Sequence, residues 1–190
     1  MSIKVKKINK SFGEKRVLRD FSLEAADGER ICLLGPSGGG KTTLLNIIAG
    51  LVQPDSGEVE RPAGKTAYVF QEYRLLPWLT AEDNLIETTG CTKASARELL
   101  RAMELGNEVR GYPDDFSGGM KQRLSIARAL SYDAEVILLD EPFKGLDPGL
   151  RERVIAQVDQ YSAGKTVILV THDPAEADML HCTRTIQLEG

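Results

Sequence analysis

A glycine-rich stretch near the start of the chain has the residue types and spacing of a phosphate-binding loop. It reads Gly-Pro-Ser-Gly-Gly-Gly-Lys-Thr over residues 35–42 and follows an apolar run at residues 31–34. Backbone amides of such a loop can wrap a polyphosphate, because glycine permits the dihedral angles and the close approach required. The helix predicted after the loop points its positive end at the same place. The pattern predicts a nucleotide site formed by Gly35, Pro36, Ser37, Gly38, Gly39, Gly40, Lys41, Thr42 and Thr43.

Two side chains of this loop have distinct predicted roles. Lys41 places a positive charge beside the outer phosphates, and the Thr42 hydroxyl can bind Mg²⁺. The alternative is a glycine-rich turn whose lysine is solvated. The apolar run before the loop and the helical pattern after it favour the nucleotide site.

Acidic residues follow a second apolar run, at residues 136–139. Asp140 and Glu141 come directly after it, and open α/β sheets place ligand-binding groups at the carboxyl ends of their strands. We expect Asp140 to hold Mg²⁺ through coordinated water and Glu141 to polarise the attacking water as general base. The alternative is that both residues cap a loop before Pro142.

A histidine occupies the corresponding place after a third apolar run, at residues 167–170. His172 follows this run through Thr171. A lone histidine there could cap a helix. Beside the loop and the two carboxylates, we expect it to contact the γ-phosphate.

These residues need a particular set of elements to bring them together. Short continuous apolar runs rich in β-branched and aliphatic residues are typical of strands buried on both faces, and hence of a parallel sheet. Helical patterns lie between the runs, at residues 41–50, 92–103, 117–130 and 150–160. The predicted fold class is α/β, with the parallel sheet of a P-loop NTPase core.

Other segments complete the predicted architecture. Residues 3–8 and 17–24 predict an antiparallel β element, further strands are expected at 67–70 and 185–188, and residues 77–111 predict a wholly helical insert. We expect one domain over residues 1–190, with no regulatory domain appended after Gly190. Its nucleotide-binding core would comprise 1–70 and 132–190, and a small helical subdomain would span about 72–131.

The composition excludes several classes of protein. The formal net charge is −4, whereas domains that grip nucleic acid are usually strongly basic. Three isolated cysteines, Cys32, Cys91 and Cys182, fit a reducing compartment better than a disulfide framework. No stretch approaches the ~18 consecutive apolar residues of a membrane span, and Met1 opens no signal peptide. If the protein functions at a membrane, we therefore expect a partner protein to hold it there.

A second anion site is predicted at residues 116–123, which read Phe-Ser-Gly-Gly-Met-Lys-Gln-Arg. Ser117 is expected to cap a helix whose N-terminus is free of bulk at Gly118 and Gly119, and such an end binds anions. Because the glycine-rich loop already holds the chain's own nucleotide, this helix end implies the nucleotide of a second copy. The stretch resembles the signature of ABC transporter ATPases, usually Leu-Ser-Gly-Gly-Gln, and the flanking residues 112–113 and 125–130 match that family too.

The resemblance covers nearly the whole chain and implies roles for three further residues. Phe12 matches the aromatic residue that stacks on adenine, although a core or hairpin aromatic is the alternative. Gln71 resembles the glutamine that senses Mg²⁺ and the attacking water. Asp147, in a Gly-Leu-Asp-Pro stretch, resembles the residue of the loop that carries signals across the dimer.

The resemblance also implies ATP hydrolysis, with ATP and Mg²⁺ as cofactors, and it implies partners. The subunit would form a homodimer, or pair with a homologous ATPase subunit, as a peripheral protein on the cytoplasmic face of the cell membrane. ATP-driven closure of the pair would drive solute transport through integral membrane permease subunits. A solute-binding protein would act indirectly, and no nucleic acid is expected.

Residues 70–80 narrow the resemblance to importer ATPases of the nitrate, sulfonate and taurine group, in which this region receives a short helix from the permease. The solute implied is a small anion. Trp78, the only tryptophan, suits an interface, although a buried core position is equally compatible with the sequence.

Other functions remain open from the residues alone. They are an exporter ATPase, a soluble ABC-type ATPase acting on nucleic acid or ribosomes, and a P-loop kinase, which would leave residues 117–119 and His172 unexplained. The chain departs from the family pattern at Phe116 and Met120. It also has Lys144 and Gly145 where the family commonly has Ser-Ala, and a short interval between Gln71 and Ser117.

Overall fold

The chain folds around a five-stranded parallel sheet, as the continuous apolar runs predict. The computed structural model describes residues 2–61 and 64–188. The strand order is β5-β6-β7-β3-β8, and every neighbouring pair is parallel. The bounds are β3 (Arg30–Leu34), β5 (Thr66–Val69), β6 (Val136–Asp140), β7 (Thr166–Val170) and β8 (Arg184–Gln187).

A second sheet of three antiparallel strands lies at the N-terminal side of the chain. It contains β1 (Ile3–Phe12), β2 (Lys15–Ala25) and β4 (Ser56–Glu60), in the order β2-β1-β4. The turn between β1 and β2 places Gly13 at φ 59°, a conformation that glycine adopts without strain. The predicted antiparallel element is confirmed, and β4 extends it by pairing with β1.

In the part of the chain that the structure describes, six α-helices connect and cover the strands. They are α1 (Lys41–Ile48), α2 (Ala81–Thr89), α3 (Lys93–Ala102), α4 (Gly118–Ser131), α5 (Pro148–Tyr161) and α6 (Pro174–Met179). Three of them begin where capping chemistry is readable in the sequence. The side chains of Thr92, Ser117 and Asp147 accept hydrogen bonds from the first turns of α3, α4 and α5.

The prediction that residues 77–111 are wholly helical is wrong in part. Only α2 and α3 are helical there, and a series of turns follows α3. Glu104 in these turns has φ 54°, which ends the helix. The carbonyls of Gly111 and Val109 accept hydrogen bonds from Ala81 N and Glu82 N at 2.8 and 3.0 Å. The turns thus serve the first amides of α2, which have no partner within their own helix.

Apolar residues of the central strands alternate between two packed layers. Ile31, Leu33, Val136 and Leu138 pack on the side that carries α1, whereas Cys32, Ile137 and Leu139 pack on the side that carries α4 and α5. Both faces of the sheet are therefore buried. Burial raises the pKa of the Cys32 thiol to about 12, as expected for a packed thiol.

The parallel arrangement decides where functional side chains can meet. Because β3, β6 and β7 run in the same direction, the residues that follow them lie along one edge of the sheet. Within residues 2–61 and 64–188, none of the helices is long and apolar enough to cross a bilayer.

Candidate nucleotide and magnesium site

The loop between β3 and α1 has a backbone that only glycine fits at two positions. Gly35 has φ 148°, and a Cβ there would lie 2.4 Å from the Leu188 carbonyl oxygen. Gly40, the residue before α1, has φ 89°, and a Cβ there would lie 2.8 Å from the Val17 carbonyl oxygen. The loop is thus wedged between β2 and the end of β8, with its backbone free to face a ligand.

Lys41 holds this loop from within. Its Nζ donates hydrogen bonds to the carbonyl oxygens of Gly35 and Pro36 at 2.8 and 2.9 Å. The Gly39 amide donates to the Pro36 carbonyl at 3.1 Å. The side chain is buried at 6% exposure, so its ammonium is fixed in the centre of the loop. A positive charge in that place is suited to a polyphosphate.

A cavity of about 330 Å³ opens beside the loop. It collects predicted residues from four separate parts of the chain, together with three that the sequence analysis did not single out. The lining residues are Phe12, Lys15, Val17, Ser37, Gly38, Gly40, Lys41, Thr42, Thr43, Gln71, Asp140, Glu141 and Val170. Gly35, Pro36 and Gly39 belong to the same loop but do not line this cavity.

Asp140, the last residue of β6, carries a buried carboxylate that is only partly satisfied. It is 1% exposed, and its Oδ2 has no hydrogen-bond partner among the residues that the structure describes. Burial raises the pKa of Asp140, against a hydrogen bond from the Thr42 hydroxyl that lowers it. A buried carboxylate oxygen without a partner is costly unless a cation or donor joins it.

This pair of oxygen ligands fits Mg²⁺. The ion prefers oxygen ligands and is commonly held by one or two carboxylates, with substrate phosphates and water completing its shell. Asp140 and Thr42 meet at the phosphate loop, where a bound nucleotide would supply the remaining oxygens. The free Oδ2 of Asp140 is the atom that such an ion would satisfy.

Glu141 follows on a strained backbone that turns its side chain into the same cavity. Its φ is 47°, and its amide donates to the Val170 carbonyl at 2.9 Å. The hydrogen bond ties the residue to the end of β7 and offsets the strain of a left-handed conformation. The side chain is 14% exposed, and its Oε2 lies 3.3 Å from the Nζ of Lys144.

Two residues from other elements complete the mouth of the cavity. Phe12 ends β1 at the hairpin to β2 and is 53% exposed, so it is not a core residue, whereas the alternative of a hairpin aromatic remains. An exposed aromatic face beside the phosphate loop is suited to stacking on a planar base. Gln71 comes shortly after β5, is exposed, and lines the cavity near the carboxylates.

Some predicted site residues lie outside this cavity. Ser117, Gly118 and Gly119 begin α4 and line none of it; Ser117 accepts a hydrogen bond from Met120 N at 3.3 Å. Asp147 is exposed, and its Oδ1 accepts from Leu150 N at 3.0 Å, which caps α5. His172 is exposed in the loop before α6. None of these five residues lines the cavity beside the phosphate loop.

Lys15, Val17 and Val170 line the cavity although sequence reasoning missed them. Lys15 and Val17 are alternate residues of β2, just beyond the turn after Phe12, so they share its face of the strand pair. A Cβ built on Gly38 would lie 3.5 Å from the Nζ of Lys15. The period of two in β2, the strand that follows Phe12, is the signal that could have found Lys15 and Val17, whereas Val170 is the last residue of β7.

Comparison with known sequences gives a consistent family. Residues 18–144 match the family described as ABC transporter. Aliphatic sulfonates import ATP-binding protein SsuB 2 of Pseudomonas syringae pv. tomato is 43% identical over 173 residues, which cover 88% of this chain and 74% of that protein. Sulfate/thiosulfate import ATP-binding protein CysA of Salmonella typhi is 38% identical over 200 residues, which cover 93% of this chain. The chain spans only 55% of the length of that CysA protein.

Comparison with solved structures agrees with this. The dimeric post-hydrolysis state of the ATP-binding cassette MJ0796, bound to ADP and Pi, superimposes with a TM-score of 0.87 at 32% identity. The match covers 98% of this chain and 94% of that one. The α/β fold class with its antiparallel sheet is confirmed, as is the resemblance inferred from residues 116–123. The chain belongs to the ABC transporter family, as an ATP-binding cassette.

Proposed function

We propose that this chain is the ATP-hydrolysing subunit of an importer for a small anion, and that two copies close on ATP to drive transport. One observation carries the proposal. One cavity beside the phosphate loop contains a buried carboxylate with a free oxygen, a second carboxylate and an exposed aromatic ring. A triphosphate, a divalent cation, a water molecule and a base can all be accommodated by that set.

The geometry of the phosphate loop suggests where the nucleotide would bind. The triphosphate would lie along the backbone of residues 35–43, with Lys41 beside its outer phosphates and adenine against the ring of Phe12, which lines the same cavity. Thr42 and Asp140 would hold Mg²⁺, with Gln71 as a further oxygen ligand. When bound, the ion neutralises charge that develops on the phosphate oxygens.

Hydrolysis is a proton transfer coupled to displacement at phosphorus. Glu141 accepts a proton from water as the water oxygen attacks the γ-phosphorus, and the bond to the bridging oxygen breaks to release ADP. We assign His172, in the exposed loop before α6, to contact with the γ-phosphate. Most of the rate enhancement comes from positioning and electrostatics, because the protein forms no covalent bond.

A second copy completes the site. The N-terminus of α4 is exposed, and its first residues are free of side-chain bulk at Gly118 and Gly119. Since this anion-binding end does not reach the chain's own cavity, its ligand is the γ-phosphate held by the partner. Asp147 lies in the exposed loop between Glu141 and α5, and we assign it to communication between the two copies.

Replacing the base tests the catalytic assignment. Glu141→Gln keeps the shape of the side chain but removes its basicity, so turnover should fall by at least about 100-fold while nucleotide affinity is kept. The measurements are steady-state ATP hydrolysis and fluorescent-nucleotide binding, with size exclusion in ATP to detect accumulated dimer. Unchanged hydrolysis would remove Glu141 from its role.

We assign binding of the permease to a second cavity, separate from the nucleotide site. A cavity of about 320 Å³ is lined by apolar and aromatic residues, among them Leu51, Tyr68, Phe70 and Tyr132. Trp78 does not line this cavity, but it is 70% exposed, so the alternative of a core tryptophan is wrong. Exposed apolar surface of this kind marks interaction sites. We assign it to a helix of the permease, which would hold the subunit at the cytoplasmic face of the membrane.

Removing the exposed indole tests whether Trp78 contributes to the contact with the permease. Trp78→Ser should reduce co-purification with the membrane fraction of the native host by at least about tenfold, since aromatic anchors dominate interface energies. ATP hydrolysis by the isolated subunit should be unchanged, because Trp78 does not line the nucleotide cavity. Full membrane retention of the variant would contradict the assignment.

The solute is a small anion in this proposal. The relatives named above are import proteins for sulfonates and for sulfate or thiosulfate. The ATPase subunit does not contact the solute, so the permease and a solute-binding protein would select it.

A further inference from the structure

A tight loop brings a lysine onto the carboxylate at the catalytic position. After β6 the backbone turns at Glu141 (φ 47°) and again at Gly145 (φ 78°), and Lys144 N donates to the Glu141 carbonyl at 3.3 Å. Phe143 is buried at 1% exposure inside this loop. As a result the side chains of Glu141 and Lys144 project together, with Nζ 3.3 Å from Oε2.

The Glu141–Lys144 pair lies among negative charges. The carboxylate of Glu141 lies next to that of Asp140 and faces the cavity that receives an anionic triphosphate. Lys41 is occupied by the loop carbonyls. Among the described residues, Lys144 is the cation that forms an ion pair with Glu141.

The loop itself is held by contacts that do not involve the lysine. Gln122, buried in α4, donates from Nε2 to the Pro142 carbonyl at 2.6 Å, and Phe143 packs in the core. Lys144 is 61% exposed at its side chain. Removing the ammonium therefore leaves the backbone of the loop in place and changes only what Glu141 contacts.

We propose that Lys144 is a positioning residue for hydrolysis, which acts through Glu141. Its ammonium holds Oε2 of Glu141, so that the other oxygen is presented to water, and it offsets the repulsion between this carboxylate and the γ-phosphate. The inference rests on the proposed role of Glu141 as general base. It assigns a function to a position at which the chain departs from the common Ser-Ala pair.

The test compares three substitutions by steady-state kinetics. Lys144→Met keeps the length of the side chain and removes the charge, so kcat should fall about two- to fivefold, the range of a partly exposed ion pair. KM for ATP should stay unchanged, because Lys144 does not line the nucleotide cavity. Lys144→Arg should restore kcat. Lys6→Met, at a lysine paired with Glu60 on the antiparallel sheet, is the matched control and should leave kcat at the wild-type value.

The dependence of kcat on ionic strength distinguishes an electrostatic role of Lys144 from a purely structural one. Because salt screens an exposed ion pair, the ratio of wild-type to Lys144→Met kcat should approach one as salt rises. An unchanged or higher kcat in Lys144→Met, no rescue by arginine, or a ratio insensitive to salt would overturn the proposal. Glu141→Gln measured in parallel separates the two claims: if it loses turnover while Lys144→Met does not, only the role of Lys144 fails.

Discussion

At the scale of single residues, stability and function oppose each other at Asp140. Its carboxylate is buried, keeps one oxygen without a partner, and has a pKa raised by that burial. The folded protein therefore holds the charged form at a cost. A group so placed is explained by a ligand that arrives after folding.

This opposition predicts the behaviour of Asp140→Asn. A carboxyl whose folded pKa is raised penalises the native state at pH values above that pKa, and the penalty disappears as pH falls below the unfolded value. At neutral pH, in the absence of nucleotide and Mg²⁺, the asparagine variant should melt about 2–4 °C higher than the wild type. Stabilisation by Mg-ATP should be lost. Thermal melts with and without Mg-ATP measure both effects.

Asp55 provides the matched control. A side-chain hydrogen bond from Lys10 and a backbone hydrogen bond from Ser11 lower its pKa, so its charged form stabilises the fold. Asp55→Asn should leave the melting temperature unchanged or lower, and should keep the Mg-ATP effect. An Asp140→Asn variant that melts below the wild type would contradict the account of the unsatisfied carboxylate.

The sequence predicts many of these residues because their spacing reflects the chemistry directly. The loop at 35–42 and the Asp-Glu pair after a buried strand are local patterns. The free oxygen of Asp140 and the ion pair of Glu141 with Lys144 depend on side-chain placement in three dimensions. No spacing in the sequence predicts either.

At the scale of elements, the site depends on strands that end along one edge and on a loop that fits between them. The loop after β3 is confined by β2 on one side and by the end of β8 on the other. Both contacts are made to backbone carbonyls, which cannot move aside as a flexible side chain can. The glycines at these contacts are therefore required by the structure itself, in addition to their proposed role in binding phosphate.

Gly40→Ala tests this confinement. The substitution places a Cβ 2.8 Å from the Val17 carbonyl at a φ of 89°, so the free energy of unfolding should fall by about 1–3 kcal/mol. Nucleotide affinity should fall as well, because the loop must shift to relieve the contact. Gly149→Ala, inside the first turn of α5 with 3.6 Å to its nearest neighbour, is the control and should change stability by less than about 1 kcal/mol.

Two elements, β4 and α6, are not predicted from the sequence. The strand β4 reads Ser-Gly-Glu-Val-Glu, with one apolar residue, and it forms because Val59 and its neighbours pair with β1. Such pairing is a long-range property that overrides weak local propensity. The helix α6 was also missed, although Asp173 and Pro174 at its start are typical of a helix N-terminus. By contrast, the buried central strands were predicted within a residue or two, because burial on both faces leaves continuous apolar runs.

At the scale of the whole molecule, two halves of one predicted site lie apart in a single chain. The cavity beside the phosphate loop contains none of residues 117–119, whose helix end is exposed. A head-to-tail pair of copies would bring each helix end onto the partner's phosphate loop. The central claim is therefore that hydrolysis needs parts from two chains.

Complementation between two inactive variants measures this most directly. Lys41→Ala removes the charge that faces the phosphates but leaves residues 117–119 intact, whereas Ser117→Arg blocks the helix end but leaves the phosphate loop intact. Each variant alone should have negligible ATP hydrolysis. An equal mixture should recover about a quarter of the wild-type rate, because half of the random pairs are mixed and each has one complete site. A mixture that stays as inactive as its components, or a Ser117→Arg protein that hydrolyses ATP normally by itself, would contradict the shared site.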